Sequence, residues 1–421
     1  MGPRDRIGVI NKGGDFLSSP FILMWLAIYI TFIFSSIVFI PGNLNDGFWI
    51  PKEFVFVAGS FFVIASSFFK ESKLVIRFSN IWFSFLLLTS LFSFCFFFYI
   101  PIIFNSPNGT IAWNVWNFRP TMNILLGIFL IKTLVENGRE LKNWINLSKV
   151  LCWMGFLYSI YAILQWFGID QIFRYNYDWV NTLDAPLQKN IHMVTFMSNK
   201  FLTSNYIALL APLCLMFKDF RYKLFYLIMF IAVCMADSTI STIAFIFTFL
   251  LYLLLTKNCK ALIPCIFLGI ALFVFLSFKY PTFLNFTGRT VLWTDAIRAI
   301  FLDFRMFFTG RGLGSFPGHY LMGELKALSA HNEYIQMFFE GGILLLVIFF
   351  GYIISLFKRI MQEYFKDNSQ LLIVYTLGLI SFLIISAAGF PLRIAPLALI
   401  GVLYVACLER LTQKELGEIY G

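Results

Sequence analysis

The chain has 421 residues, of which 59% are hydrophobic and 13% charged, with a mean hydropathy of +0.80 and a net charge of +10. A soluble domain usually carries about 25% charged residues, so this composition excludes a soluble globular protein. With 54 Phe and so few charges, it also argues against nucleic-acid binding, and the basic excess is better explained by membrane orientation.

Apolar runs long enough to cross a bilayer, about 20 residues each, recur along the whole length. Lipid offers the backbone no hydrogen-bond partner, and the runs are far longer than barrel strands, so the expected fold is all-α. Taken in order, the runs fall at 20–40, 50–69, 81–104, 120–136, 150–168, 192–217, 224–236, 238–255, 261–279, 334–357, 371–388 and 395–408. This predicts a polytopic integral membrane protein of about twelve transmembrane helices forming one domain, 1–421. The pair at 224–255 is separated only by Asp237 and Ser238. Seven cysteines form no CxxC or Cys/His spacing, so neither a disulfide frame nor a metal site is expected.

Lys and Arg are distributed unevenly among the loops. Alternate segments hold Lys70, Lys73 and Arg77; Arg139, Lys142 and Lys149; Lys218, Arg221 and Lys223; and Lys358, Arg359 and Lys366. The short segments on the opposite side, 41–49, 105–119 and 389–394, hold only Arg119 and Arg393. The positive-inside bias then predicts both termini in the cytoplasm and the segments 169–191 and 280–333 outside.

The stretch 279–342 is the one long polar interruption. Its residues 289–308 repeat apolar side chains at three and four (Trp293, Ala296, Ile297, Ile300, Phe301, Phe304, Phe307, Phe308), which predicts one amphipathic helix lying on the outer membrane–water boundary. Arg298 and Arg305 on its other face suit headgroup contact. Arg289, at the head of this helix, can point back into the bundle. Arg311 lies in TGRGLGSF, whose glycines allow either a plain turn or close backbone approach to a ligand. Two arginines on the outer side suggest an anionic ligand, because guanidinium suits phosphate oxygens. His331 and Asn332 precede the run that begins near Tyr334, and a neutral imidazole there can accept a proton near neutral pH. Glu333 and Glu340 are its possible partners, and Glu340, two turns into the run, requires pairing of some kind.

Four pieces in this order, SNKFLTSNYIALLAPLCL (198–215), GRTVLWTDAIRAIF (288–301), GRGLGSF (310–316) and AHNEYIQMFFEGGILLLVIFF (330–350), resemble the O-antigen ligase and polymerase superfamily of bacterial membrane glycosyltransferases. The resemblance implies a GT-C-like membrane fold in the bacterial inner membrane, with 280–333 as a periplasmic lid between transmembrane helices 9 and 10. It implies transfer of a glycan from an undecaprenyl-diphosphate-linked donor to a hydroxyl on a lipid A-core acceptor, with inversion and without metal or other cofactor. In these terms Arg289 binds the carrier diphosphate with help from Arg311, His331 is the general base, and Asn332 orients it or the sugar. The sequence departs from the family at ADSTISTIA (236–244), where Ser238 and Thr239 are not followed by the usual arginine. Arg119, Arg174, Lys189 and Lys200 are the basic residues that could substitute. A polymerase joining carrier-linked repeat units is the alternative within the superfamily. A lipid or polysaccharide transporter is the alternative outside it, with Lys132, Lys200 and Glu340 as its candidate in-span charges.

Overall fold

A computed structural model of the chain describes residues 19–37, 46–68, 110–138, 140–169, 193, 195–197, 200–279, 287–302, 304–316, 329–366 and 369–413. Every regular element among them is helical. The first group comprises α1 (Ser19–Ile37), α2 (Asp46–Phe68), α3 (Thr110–Asn137), α4 (Leu141–Trp166) and α5 (Lys200–Cys214). There follow α6 (Phe220–Met235), α7 (Thr239–Leu255), α8 (Cys259–Lys279), α9 (Thr287–Phe301) and α10 (Phe304–Thr309). The chain continues with α11 (Glu333–Lys366), α12 (Gln370–Ser386), a 3₁₀ turn (Pro391–Arg393) and α13 (Ala395–Thr412).

Three of these helices, α4, α11 and α13, are long and apolar enough to cross a membrane, and shorter apolar helices occupy Met24–Ile37, Thr239–Leu255, Lys260–Gly269 and Gln370–Ser386. The apolar runs read from the sequence are helical, apart from 81–104, which lies outside the described residues. In one of them the helix starts late. Residues 195–197 form a turn in which Thr195 has φ 43° and donates its N–H to Gln165 Oε1 at 2.8 Å, and α5 begins at Lys200. The pair at 224–255 resolves into two helices because Asp237 takes φ 54°, which ends α6 before α7 starts.

The core is centred on α5, α12 and α13. Residues 202–214 of α5 and nearly all of α13 are buried. Large side chains fill the centre, and the hydroxyls they carry find partners inside it. Tyr206 bonds Ser36 Oγ at 2.8 Å, Tyr375 bonds Ser148 Oγ at 2.8 Å, and Tyr404 donates to the Leu209 carbonyl. At one end, Arg359 grips Glu409 with two bonds of 2.7 Å while Tyr352 donates to the same carboxylate at 2.8 Å. These contacts cross-link helices that are distant in sequence, and they leave the opposite end free to carry the loops between α10 and α11 and between α12 and α13.

The amphipathic segment 289–308 differs from expectation in being two helices. α9 ends at Phe301 and α10 starts at Phe304, with Leu302 in a turn. One face of α9 buries Leu292, Ala296 and Ile300 against Phe316, Ala330 and Phe339. Other apolar positions remain exposed, namely Val291, Ile297, Phe301, Leu302, Phe304 and Phe308, as do Arg298 and Arg305. An apolar band beside solvent-facing arginines is what a helix lying in a membrane interface presents.

Candidate functional site

The loop that follows α10 is shaped by a break in α11. Gly342 has φ 67° and ψ −173°, a conformation that only glycine enters without strain. In an unbroken helix the carbonyls of Phe339 and Glu340 would accept from residues 343 and 344. They accept instead from the N–H groups of Arg311 (3.0 Å) and Gly312 (2.8 Å). Gly310 and Gly342 lie back to back, so that a Cβ on Gly310 would overlap the Glu340 carbonyl and one on Gly342 would overlap the Phe308 carbonyl. Gly310 of TGRGLGSF therefore serves close approach of the loop to α11. The Arg311 guanidinium lies 5.2 Å from the centre of the Phe339 ring and contacts the Met306 sulfur.

Beneath this loop lies a buried ionic cluster. Arg393, 5% exposed, donates from Nε to Glu333 Oε1 at 3.0 Å and from Nη2 to Glu340 Oε2 at 2.9 Å. Gln336 donates to Glu340 Oε1 at 3.0 Å and accepts from the Ala330 N–H at 3.0 Å, and the Phe316 N–H also points to Glu340 Oε1, at 3.4 Å. One cluster thus ties together the start of α11, the glycine loop, the turn before His331 and the 3₁₀ corner. Glu333 and Glu340 pair with Arg393, not with His331 as expected. Two carboxylates on one helix face, seven residues apart, need a cation from another element, and the 389–394 corner supplies it.

Arg289 and His331 both border the corner at 388–390. Arg289 shares a face of α9 with Leu292, Trp293 and Ala296, so packing that face inward turns the guanidinium toward the bundle. Trp293 fixes the approach by donating Nε1–H to the Ala330 carbonyl at 2.6 Å, one residue before His331. Arg289 is half-buried and donates to the Ala388 carbonyl at 3.2 Å. His331 has φ 50°, and its ring meets Phe390 edge-on with centroids 5.0 Å apart. Burial, and then the nearby Arg289 charge, hold its pKa down at about 4, so the imidazole is neutral at pH 7. Burial also lowers the pKa of Arg289 from its ordinary value. The corner therefore combines a neutral proton acceptor with a cation capable of holding an anion.

Asn332 has a structural task. Its Oδ1 accepts from the N–H groups of Tyr334 (3.0 Å) and Ile335 (3.1 Å), which makes it the N-cap of α11. Lys200 is ion-paired with Asp237 at 3.5 Å and lies over the Phe201 ring. Arg119 falls within α3, and Arg174 and Lys189 lie outside the described residues.

A buried polar chain extends from Lys200 toward the corner. Ser238 bonds Ser241 at 2.9 Å, Ser204 bonds Ser241 at 3.1 Å, and Ser241 donates to Asn205 Oδ1 at 2.6 Å. The Asn205 amide in turn lies beside Gly389, between Ala388 and Phe390. Reading the sequence missed this chain and missed Arg393. The requirement that Glu340 be paired was a signal for a basic partner, but with several arginines on that side of the bundle it did not single out Arg393.

Compared with models of known protein families and with curated proteins, the sequence matches none of them.

Proposed function

We propose that the chain is a membrane glycosyltransferase of the O-antigen ligase type, with about twelve transmembrane helices in a bacterial inner membrane, both termini cytoplasmic and the Arg289–His331 corner periplasmic. It transfers a glycan from an undecaprenyl-diphosphate-linked donor to a hydroxyl of a lipid A-core acceptor. The observation that carries this reading is that Arg289 and a neutral His331 border one half-buried corner beside an apolar, interface-type helix pair. The resemblance of the ordered motifs at 198–215, 288–301, 310–316 and 330–350, two of which contain these residues, also supports it.

In this reaction the acceptor oxygen attacks the anomeric carbon, its proton passes to His331, and the bond from that carbon to the diphosphate oxygen breaks. Arg289 holds the negative charge that develops on the departing diphosphate. A single displacement of this kind inverts the anomeric centre. The arrangement also couples binding to base strength. In the empty site Arg289 helps to depress His331, and an anionic diphosphate bound to Arg289 offsets that charge, raising the imidazole toward its ordinary value of 6.5. The base thus strengthens when the donor is in place.

Asn332, as the cap of α11, acts by fixing the turn that carries His331. Arg311 acts by holding the glycine loop against Phe339, with any diphosphate contact secondary to that role. A polymerase that joins carrier-linked repeats would use the same two side chains, with a second carrier-linked chain as acceptor.

The test is lipopolysaccharide gel analysis of a strain lacking the gene, complemented with wild type, His331→Ala or Arg289→Ala. Loss of a ligase leaves free core while carrier-linked chains accumulate. Core bearing a single repeat would identify a polymerase, and wild-type banding from both variants would contradict the site.

A further inference from the structure

A cleft lies between α3, α11, α12 and α13. Its walls are almost entirely hydrocarbon, including Gly127, Ile131, Leu345, Phe349, Ala398 and Val402. Among the described residues that line it, only Asn123 and Tyr352 carry a side-chain nitrogen or oxygen. The Tyr352 hydroxyl is engaged with Glu409 at 2.8 Å. Asn123 is 1% exposed, and neither its Nδ2 nor its Oδ1 has a hydrogen-bond partner among the described residues. A buried amide left this way is unfavourable unless something else supplies the bonds. A lone water does not suffice, since buried waters are held by two to four polar groups, and the surrounding wall here is apolar.

The position of Asn123 gives the cleft a polarity. A Cβ on Gly127 would lie 3.2 Å from Val402, so these two residues are level. Asn123, one turn earlier on α3, is then level with Ala398, at the end of the cleft near Leu313 and Leu392, next to the Arg289–His331 corner. From there the α3 wall runs to Ile131, about 12 Å further along at 1.5 Å per residue. The cleft offers one amide at its outer end and an apolar tube below it.

We infer that this cleft is a binding site for a lipid acyl chain whose head end carries a hydroxyl or an amide, bonded to both atoms of the Asn123 side chain. The inference does not rest on the glycosyl-transfer reading. An Asn amide presents one donor and one acceptor face, so its complement must both accept and donate. A hydroxyl or secondary amide does so, whereas a simple ester or an ionised phosphate only accepts, and a polyprenyl chain does neither along its length. Acyl lipids of this kind enter from the bilayer leaflet on the Asn123 side, with the chain directed toward Tyr352 and Val405.

The experiment uses the full chain in lipid nanodiscs and three diazirine-tagged photoprobes: a fatty acid N-(2-hydroxyethyl) amide, the methyl ester of the same acid, and a polyprenyl phosphate. Crosslinked peptides are mapped by mass spectrometry. The amide is expected to label the α3 and α13 segments around Gly127 and Val402 at least about fivefold more than the ester, the worth of one net hydrogen bond. Asn123→Leu should keep the labelling, lose the preference, and melt no lower than wild type. Ala398→Phe, which fills the tube, should abolish labelling there. Equal labelling by amide and ester, stronger labelling by polyprenyl phosphate, or a preference that survives Asn123→Leu would each overturn the proposal. If Ala398→Phe fails to fold, the Asn123→Leu comparison decides alone.

Discussion

The state of His331 is set by where it sits. Its pKa of about 4 arises first from burial and then from Arg289, so the fold favours the neutral ring. A histidine depressed below its ordinary 6.5 gives stability that is complete above that value and is lost as pH falls toward 4. Under the proposed transfer reaction, the same two residues would set its pH dependence. kcat/KM reports the free enzyme, so it should stay flat from neutrality down to about pH 5 and fall near pH 4. kcat reports the enzyme with donor bound, where Arg289 is offset, and its acid limb should lie at higher pH. Initial-rate measurements across pH in both regimes check this, and coincident limbs would refute the coupling. Arg289→Gln removes the second cause of the depression, so the kcat/KM limb should move upward while burial keeps it below the ordinary value. Arg289 and His331 were both legible in the sequence, because each interrupts an otherwise apolar chain at the head of a periodic segment. Their mutual approach was not, since it depends on Trp293 reaching the Ala330 carbonyl.

Among the elements, α11 carries the most structural information. Its break at Gly342 releases two carbonyls, the glycine loop takes them, and Arg393 neutralises Glu333 and Glu340 on the two turns before the break. Gly342→Ala and Gly310→Ala should each destabilise by more than the 1–3 kcal/mol typical of a strained backbone alone, because the added methyl also meets backbone atoms. Gly168→Ala is the control: φ there is 78°, but nothing lies within 4 Å, so only the backbone cost applies. Thermal melts in detergent should rank the three accordingly. Arg393→Met, which strands two buried carboxylates, should cost about 3–5 kcal/mol and lower the melting temperature sharply. Adding Glu340→Gln in the same chain should recover part of the loss.

The helices of this bundle were readable from hydropathy because lipid imposes one backbone solution. The Arg393 cluster was not, because its partners are 53 and 60 residues away and meet only through tertiary packing. The glycine loop left a plain turn and a ligand cradle both open for a related reason: glycines permit close approach, and the sequence does not say to what.

For the molecule as a whole, the bundle has a hydroxyl-linked centre, an ionic clasp of Arg359 and Glu409 at one end, and the corner bordered by Arg289 and His331 at the other. The in-span charges that would have favoured a transporter are each ion-paired: Lys132 with Glu136, Lys200 with Asp237, and Glu340 with Arg393. If the two ends face opposite sides of a membrane, exposed Lys218 and exposed Arg298 lie on opposite sides as well. In a cysteine-free background, Lys218→Cys should be shielded from a membrane-impermeant maleimide in intact spheroplasts, and Arg298→Cys should react. Equal labelling of the two would contradict the topology.

The most direct measurement is transfer by the purified full-length protein in lipid nanodiscs, using a fluorescent oligosaccharide on polyprenyl diphosphate as donor and lipid A-core as acceptor, in EDTA and without nucleotide. Wild type should form the conjugate with inversion at the anomeric carbon. His331→Ala should slow it by about 10²–10⁴-fold, the usual worth of a general base, and Arg289→Ala should act mainly through the donor. Conjugate formed at the wild-type rate by both variants would contradict the account.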